Sequence, residues 1–208
     1  MSSSWTAVLP VKRTSVAKTR LAGTDDAMRQ RLALAFAIDT ATAALACSEV
    51  ESVLVVTDDE DAAAAVRDVG ATAIPDTPDA GLNAALVHGA AVALTRSPGN
   101  GVALLSADLP ALRPAELARA LRQCLEHPHA FVSDAVGTGT TMLTGGPHSP
   151  PTPHYGPRSR AWHRSAGCVE ITDSQVASLR RDVDTWVDLW DAERLGLGAA
   201  TVRVLGLS

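Results

Sequence analysis

The order of apolar and helical segments predicts an α/β fold, a three-layer sandwich with a mostly parallel, Rossmann-like sheet between helices. Two observations lead to this fold class. Short β-type runs alternate with longer alanine-rich stretches of helical character. The runs SVLVVT (52–57) and GVALLSAD (101–108) are almost continuously apolar, as in strands that are covered on both faces. Alternation of strands and helices along the chain implies a parallel sheet.

The first half of the chain carries this alternation clearly. Thr24 or Asp25 is a suitable N-cap for the first helix, Gly70 suits the end of the second, and Pro114 stands where a helix start tolerates proline. The predicted elements are strand 5–10, helix 26–47, strand 52–57, helix 59–69, strand 71–75, helix 81–96, strand 101–108 and helix 114–126.

The second half is less regular. Its predicted elements are strands 129–134 and 138–144, a loop rich in Gly, Pro and His at 145–157, a short helix 159–167, a strand 168–172, and a segment 180–196 that starts extended and turns helical after Asp184. No internal repeat is visible. We therefore predict one domain over residues 1–208, with a regular half (residues 1–126) followed by a less regular half (residues 127–208).

Composition excludes several classes of protein. The 208 residues suffice for a sizeable core, and a net charge of −5 argues against a general nucleic-acid binder. Cys47, Cys124 and Cys168 are odd in number and form no CxxC pair, which favours a reducing compartment. The start resembles no signal peptide, and no apolar run approaches the roughly 18 residues of a membrane span. We expect a cytoplasmic protein without nucleic-acid or membrane partners.

A basic segment, LPVKRTSVAKTRL, follows the first predicted strand. It contains Lys12 and Lys18, the chain's two lysines among 18 Lys and Arg residues, and also Arg20. An ammonium group is a compact charge that commonly binds phosphate, and ligands of open α/β sheets bind where strands end. The segment therefore indicates an anion site, whereas the structural alternative is a solvated basic loop.

Two acidic positions are candidate cation ligands. Asp108 follows the clearest predicted strand, and a carboxylate at that edge can hold a divalent cation. Asp182 and Asp184 alternate around Val183, so an extended backbone places both carboxylates on one face. The alternatives are structural: Asp108 caps a turn before Pro110, and Asp184 or the next residue caps a helix.

Two segments of small and hydroxyl residues suit a second anion. The segment 138–141 reads TGTT, and Tyr155-Gly-Pro-Arg-Ser159 leads into the short helix. Backbone N–H groups can approach a phosphate closely where side chains are small. Each segment also has a structural explanation, a hairpin with threonines and a capped surface helix. The chain has no P-loop, no complete GxGxxG, no HExxH and no GxSxG signature.

Together these segments resemble the phosphoenolpyruvate or 2-phospho-L-lactate guanylyltransferases of coenzyme F-420 synthesis, a branch of the GT-A-like nucleotidyltransferases. LPVKRTSVAKTRL is similar to their PxKxxxxAKxRL loop, and SADLP and DVDT to their acidic motifs. GLNAAL (81–86), TGTT and YGPRSRAWH (155–163) resemble further motifs of the branch, in the same order. Trp186 stands where the late motif usually has proline, and Tyr155 where Phe is common.

The resemblance implies transfer of GMP from GTP to a phosphorylated three-carbon acid, with Mg²⁺ as cofactor. Residues 1–126 would bind the nucleotide and residues 127–208 the acceptor. The implied catalytic residues are Lys18 and Asp108, and the implied metal ligands are Asp108, Asp182 and Asp184. The implied nucleotide-binding residues are Leu9, Pro10, Lys12, Lys18, Arg20 and Asn83, and the implied acceptor-binding residues are Thr140, Gly156 and Ser159.

The acceptor stays open among phosphoenolpyruvate, 2-phospho-L-lactate and 3-phosphoglycerate. The Ala- and Arg-rich composition is typical of a GC-rich genome and hints at an actinobacterium, which favours phosphoenolpyruvate. A molybdopterin guanylyl- or cytidylyltransferase is the alternative enzyme, although its usual glycine-rich opening loop is missing. A non-catalytic nucleotide sensor would need neither Asp108 nor the acceptor segments. A homodimer is a further possibility.

Overall fold

The computed structural model describes residues 4–11, 25–77 and 79–207. Its strands are β1 (Trp5–Pro10), β2 (Val50–Val56), β3 (Thr72–Ile74), β4 (Gly101–Leu105), β5 (His129–Ser133), β6 (Thr140–Gly145) and β7 (Val169–Glu170). Its helices are α1 (Asp26–Leu45), α2 (Glu60–Asp68), α3 (Leu82–Arg96), α4 (Pro114–Cys124), α5 (Ser159–Ser165), α6 (Ala177–Arg180), α7 (Trp186–Leu195) and α8 (Ala199–Leu205).

The strands form one mostly parallel sheet, which confirms the predicted fold class. Its order is β3-β2-β1-β4-β6-β5-β7. Only β6, among the described strands, runs against its neighbours, because it pairs antiparallel with both β4 and β5. The sheet is continuous through both halves of the sequence, since β4 belongs to the first and β6 to the second.

Helices cover both faces of the sheet. Alternation along β1 directs Leu9 into the hydrophobic cluster that includes residues of α1 and α4, and Val8 into the opposite cluster, which includes residues of α3. Gly89 explains how α3 packs so closely, because a Cβ there would lie 2.4 Å from Val8 Cγ1 and 2.8 Å from Val56 Cγ2. Gly89, although glycine is unfavourable inside a helix, thus allows α3 to lie close to the sheet.

The structure differs from the predicted elements at several ends. β4 ends at Leu105, so Asp108 lies in the loop beyond the strand rather than at its last position. Helices α6 and α8 have four and seven residues, too short for a periodic pattern, and the sequence did not predict them. Asp25, not Thr24, caps α1, since its side chain accepts a hydrogen bond from the N–H of Met28.

Helix α8 is bound to α1 by one buried carboxylate. Asp39, 8% exposed, accepts hydrogen bonds from the N–H of Ala200 (2.9 Å) and the N–H of Thr201 (2.8 Å). These N–H groups belong to the first turn of α8, where a helix has donors without intrahelical partners. Gly198 precedes them, and a Cβ on it would lie 2.3 Å from the Asp39 carboxyl carbon. The site therefore requires both an acid and a glycine.

Asp39→Ala should destabilise the protein by about 3 kcal/mol, because two buried N–H groups lose a charged acceptor. For a chain of this size the melting temperature should fall by about 6–12 °C, measured by calorimetry. Asp68→Ala, at an exposed position at the end of α2, is the matched control and should change it little. Equal shifts in the two variants would contradict the anchoring role of Asp39.

The described helices include none that is long and apolar enough to cross a bilayer.

Candidate functional site

The carboxyl edge of the sheet gathers the polar segments. β1 is flanked by β2 on one side and by β4 on the other, so the chain order reverses between β1 and β4. Open α/β sheets bind ligands in the crevice at such a point. Asp108 follows β4 and Asp134 follows β5, while Thr140 begins β6, whose opposite direction brings its start to this same edge. The acidic segment at Asp108 and the hydroxyl segment at 138–141 therefore both lie at the edge of the sheet that contains the crevice.

The loop that carries Asp108 is fixed by three hydrogen bonds from distant parts of the chain. The N–H of Leu109 donates to Thr40 Oγ1 (3.1 Å), the N–H of Val183 to the Asp108 carbonyl (3.0 Å), and the N–H of Gly198 to the Pro110 carbonyl (2.8 Å). None of these bonds uses the Asp108 carboxylate. These three bonds hold the backbone of the loop in place, and the Val183 bond brings the segment 182–184 beside Asp108.

Three other carboxylates act on Asp182. Burial first, and then the negative charges of Asp108, Asp134 and Asp184, raise the pKa of Asp182 to about 7. A bound cation relieves repulsion of this kind. The donors are carboxylate oxygens, the ligands that Mg²⁺ prefers. The residues present therefore fit the metal that the sequence predicts.

The predicted metal ligands do not form a tight trio. Within the described residues, only Asp58, Asp76 and Asp79 place three such ligand atoms within 4.8 Å of one another. Exposed acidic groups of this kind are common at surfaces, and we assign no ion to them. Mg²⁺ is usually held by one or two carboxylates, with water and substrate phosphates completing its shell. Asp108 together with Asp182 or Asp184 would supply two such carboxylates.

The predicted helix cap after Val183 is present, but it is Thr185 and not Asp184. Thr185 caps α7, because its hydroxyl accepts from the N–H of Asp188 and the Asp188 carboxylate accepts from the N–H of Thr185 (2.9 Å). This reciprocal arrangement is a capping box, with an aspartate in the place of the usual glutamate. The cap leaves the exposed Asp184 outside the helix, and we retain it as a candidate ligand.

Asp134 is a site residue that the sequence did not predict. Its carboxylate, 8% exposed, accepts hydrogen bonds from the N–H groups of Gly137 (2.6 Å), Thr138 (2.8 Å) and Gly139 (2.8 Å). The N–H groups of Thr138 and Gly139 belong to the segment that the sequence predicted to bind a phosphate, but they already donate to the Asp134 carboxylate. An aspartate shortly before a Gly-Thr-Gly turn was the signal that could have revealed it. The Thr140 hydroxyl is then the better donor for a ligand.

The predicted acceptor-binding residues are brought together. The N–H of Arg160, next to Ser159, donates to the Thr138 carbonyl (3.2 Å), and the N–H of Ser159 donates to the Gly156 carbonyl (3.1 Å). Thr140 and Ser159 are only 6% and 2% exposed, so few of their atoms can reach a ligand. Gly156 has φ 137°, a backbone conformation that side chains rarely allow.

The predicted nucleoside-binding residues lie in two places. Leu9 is fully buried in the core, so only its backbone can face a ligand, whereas Pro10 is partly exposed at the carboxyl end of β1. Asn83, at the start of α3, donates to the Tyr155 carbonyl (3.0 Å) and accepts from the Tyr155 N–H (2.8 Å). Its amide thus joins the first half of the chain (residues 1–126) to the second (residues 127–208). A nucleoside contact for these residues stays a prediction.

Lys12, Lys18 and Arg20 lie outside the described residues. The strand that precedes them ends at the crevice: β1 stops at Pro10, and the N–H of Val11 donates to the Val56 carbonyl (2.9 Å).

Comparisons with known proteins identify the family. Residues 25–165 match the model of the MobA-like NTP transferase domain. A Streptomyces coelicolor protein named phosphoenolpyruvate guanylyltransferase is 52% identical over 96% of this chain and 95% of its own length. A Thermomonospora curvata protein of the same name is 52% identical over 96% of this chain and 88% of its own. The chain belongs to the phosphoenolpyruvate guanylyltransferase family.

Solved structures agree on the fold of this family member. A putative nucleotide-diphospho-sugar transferase from Desulfovibrio desulfuricans has a TM-score of 0.59 at 16% identity, covering 93% of this chain and 96% of that one. A Methanothermobacter nucleotidyl transferase has a TM-score of 0.59 at 17% identity, covering 92% and 97%. At this identity the likeness concerns the fold alone, which is the GT-A-like nucleotidyltransferase fold predicted from the sequence.

In this phosphoenolpyruvate guanylyltransferase family member, some of the candidate site lies beyond the residues that the domain model matches. Asp182, Asp184 and the Gly198 N–H follow residue 165. The full-length relatives, however, align with this later stretch of the chain as well, and their names favour the guanylyltransferase branch over the molybdopterin branch. The chain is a nucleotidyltransferase.

Proposed function

We propose that this chain transfers GMP from GTP to phosphoenolpyruvate, releasing pyrophosphate, in coenzyme F-420 biosynthesis. The observation that carries the proposal is that candidate metal ligands and a candidate anion-binding segment lie at the same edge of the sheet. Carboxylates surround Asp182, whose pKa is raised to about 7, and a hydroxyl- and glycine-lined segment around Thr140 begins beside them. The names of the curated relatives support the choice of substrates.

The reaction needs no general base from the protein. A phosphate oxygen of the acceptor, ionised at neutral pH, forms the new bond to the α-phosphorus of GTP. The bond from that phosphorus to the oxygen bridging to the β-phosphate breaks, and its electrons leave with pyrophosphate. Catalysis then consists of positioning and charge stabilisation. This suits a site built of carboxylates, hydroxyls and cationic side chains.

Mg²⁺ is the proposed cofactor, and Asp108, Asp182 and Asp184 would hold it. Bound there, it would supply positive charge against the phosphates of GTP. The fixed loop at 108–110 gives Asp108 a defined position before any ligand arrives. The crowded carboxylates, which raise the pKa of Asp182, would be neutralised when the cation binds.

The basic segment is the proposed site of the triphosphate. Lys18 would oppose the charge that develops on the leaving pyrophosphate, and Lys12 and Arg20 would hold the triphosphate. Leu9, Pro10 and Asn83 would lie near the nucleoside. Thr140, Gly156 and Ser159 would hold the acceptor. A cytoplasmic location and a homodimer stay predictions.

The deciding experiment follows pyrophosphate release with GTP and each candidate acceptor. Phosphoenolpyruvate is expected to give the highest kcat/KM, with 2-phospho-L-lactate and 3-phosphoglycerate below it. GTP should outperform ATP and CTP with the same acceptor. No release with any of the three acceptors would overturn the proposed function, while a preference for CTP would favour the molybdopterin-type alternative.

Ser159→Ala should raise the KM for the acceptor about tenfold or more, because a hydrogen bond to a charged group contributes about 1.5–3 kcal/mol. The binding of GTP with Mg²⁺, measured by calorimetry without acceptor, should stay near the wild-type value. Ser165→Ala on the same helix is the matched control, since Ser165 is exposed and donates only to the Trp162 carbonyl. An equal loss of GTP binding in Ser159→Ala would show that this segment serves the nucleotide instead.

A further inference from the structure

A buried histidine lies directly behind the proposed acceptor site. His163 is fully buried, and its ring contacts the rings of Phe131 (centroids 5.8 Å apart), His154 (6.2 Å) and Tyr155 (5.6 Å). Both ring nitrogens have partners. Nε2 lies 3.0 Å from the backbone N–H of His154, and Nδ1 lies 2.9 Å from Thr140 Oγ1.

These two partners determine where the imidazole carries its proton. A backbone N–H can only donate, so Nε2 must be the unprotonated acceptor. A neutral ring then has its hydrogen on Nδ1, which donates to Thr140 Oγ1. Burial first, and the nearby charge of His154 second, lower the pKa of His163 to about 4, which agrees with a neutral ring at pH 7.

The consequence falls on the Thr140 hydroxyl. Because its oxygen accepts from His163, its own hydrogen must point elsewhere, and we find no acceptor for that hydrogen among the residues that the structure describes. A hydroxyl fixed in this way is an oriented donor rather than a freely rotating group. Thr140 begins β6 at the carboxyl edge and is 6% exposed, so the residue is not completely enclosed by the protein.

Helix α5 carries both His163 and Ser159, whose hydroxyl is the second one in the proposed acceptor site. Ser159 and His163 are four residues apart and therefore lie on one face of the helix. One rigid element thus holds the Ser159 hydroxyl and, through the imidazole, the Thr140 hydroxyl. An aromatic or aliphatic side chain would fill the same volume but could not hydrogen-bond to the His154 N–H and to Thr140 Oγ1.

We propose that His163 is a positioning residue that directs the Thr140 hydroxyl as a hydrogen-bond donor toward an anionic oxygen of the acceptor. The inference rests on the proposed function, because it assumes that Thr140 binds the acceptor. His163 itself touches no substrate. Its effect should appear in acceptor binding and not in GTP binding.

Two amide variants separate orientation from packing. His163→Asn places an amide N–H near the Nδ1 position, so it keeps the donor to Thr140 and loses the acceptor for His154. His163→Gln places an amide oxygen near the Nε2 position, so it keeps the bond to His154 and loses the donor. We expect acceptor KM to rise about tenfold in His163→Gln and to stay within about threefold of wild type in His163→Asn, with GTP affinity unchanged in both.

A double-mutant cycle tests that the effect passes through Thr140. Thr140→Val keeps the shape and lacks the hydroxyl, so His163→Gln should add less than about twofold to the acceptor KM in that background. Equal KM increases in His163→Asn and His163→Gln, or a full additional increase in the Thr140→Val background, would overturn the inference and leave His163 a packing residue.

Nitrogen-15 NMR of histidine-labelled wild-type protein supplies a readout that is independent of activity. The His163 signals should show a protonated Nδ1 and an unprotonated Nε2 between pH 6 and 8. The opposite tautomer in an enzyme that turns over would overturn this inference alone. Absence of turnover with every acceptor would overturn the proposed function and, with it, the ligand assigned to Thr140, whichever tautomer is seen.

Discussion

Asp108→Asn is expected to lower turnover about 100-fold or more while the fold stays intact. The substitution removes a charge that would hold Mg²⁺ and keeps the shape of the side chain. The three hydrogen bonds that fix the loop 108–110 use backbone groups of that loop, so they persist in the variant. The measurement is kcat across a magnesium titration, together with the melting temperature, which should change by less than about 2 °C.

Asp58→Asn is the matched control for this variant. Asp58 also follows a strand at the carboxyl edge, since β2 ends at Val56, and it belongs to the acidic trio with the partly buried Asp76 and the exposed Asp79. Its turnover and magnesium dependence should stay near wild type. If Asp108 only capped a turn, asparagine would replace it well, because Asn and Asp cap almost equally. Unchanged magnesium dependence in Asp108→Asn would therefore indicate that Asp108 only caps a turn. A loss of turnover in Asp58→Asn would indicate that the metal binds at the trio instead.

Lys18→Ala should likewise reduce turnover by about 100-fold, because the positive charge that opposes the leaving pyrophosphate is removed. Lys18→Arg should also be impaired, since a planar guanidinium does not replace a compact ammonium. Stability should be nearly unchanged in both variants. Pyrophosphate release and thermal melts measure the two effects.

Arg96→Ala controls for the loss of one positive charge, because Arg96 is exposed at the end of α3. It should retain wild-type activity. Lys12→Ala provides a second comparison: if Lys12 mainly holds the triphosphate, GTP affinity should fall more than kcat. Activity of Lys18→Ala within a few-fold of wild type would exclude a catalytic role for Lys18.

The regions of the fold that the sequence predicted are those with strong local patterns. The apolar runs of β2 and β4 and the alanine-rich stretch of α1 show their periodicity within a few residues. The direction of a parallel strand then determines the edge at which its following loop lies, and this was enough to place Asp108 near the crevice. The residue roles, which local patterns could not indicate, come from the motif resemblance and stay predictions.

The features that the sequence did not predict depend on contacts between distant residues. Thr140 and His163 are 23 positions apart, and nothing local marks the histidine as a partner of that hydroxyl. Asp134 looks like an ordinary residue at the end of a strand until the turn at 137–139 folds back onto it. Asp39 lies within a regular helix, yet its partners are 161 and 162 positions away. Only tertiary structure brings such groups together.

The position of α8 in the sequence has a consequence for the newly synthesised protein. A ribosome delivers the sheet strands and Asp108 long before Gly198, Ala200 and Thr201 emerge. Until then the Asp39 carboxylate lacks its donors, and the Pro110 carbonyl lacks the Gly198 N–H that steadies the neighbouring aspartate. A nascent chain can therefore have a nearly complete sheet while the loop 108–110 still lacks one of its three hydrogen bonds. The hydrogen bonds of Asp39 and of the loop 108–110 are completed only after α8 has been synthesised.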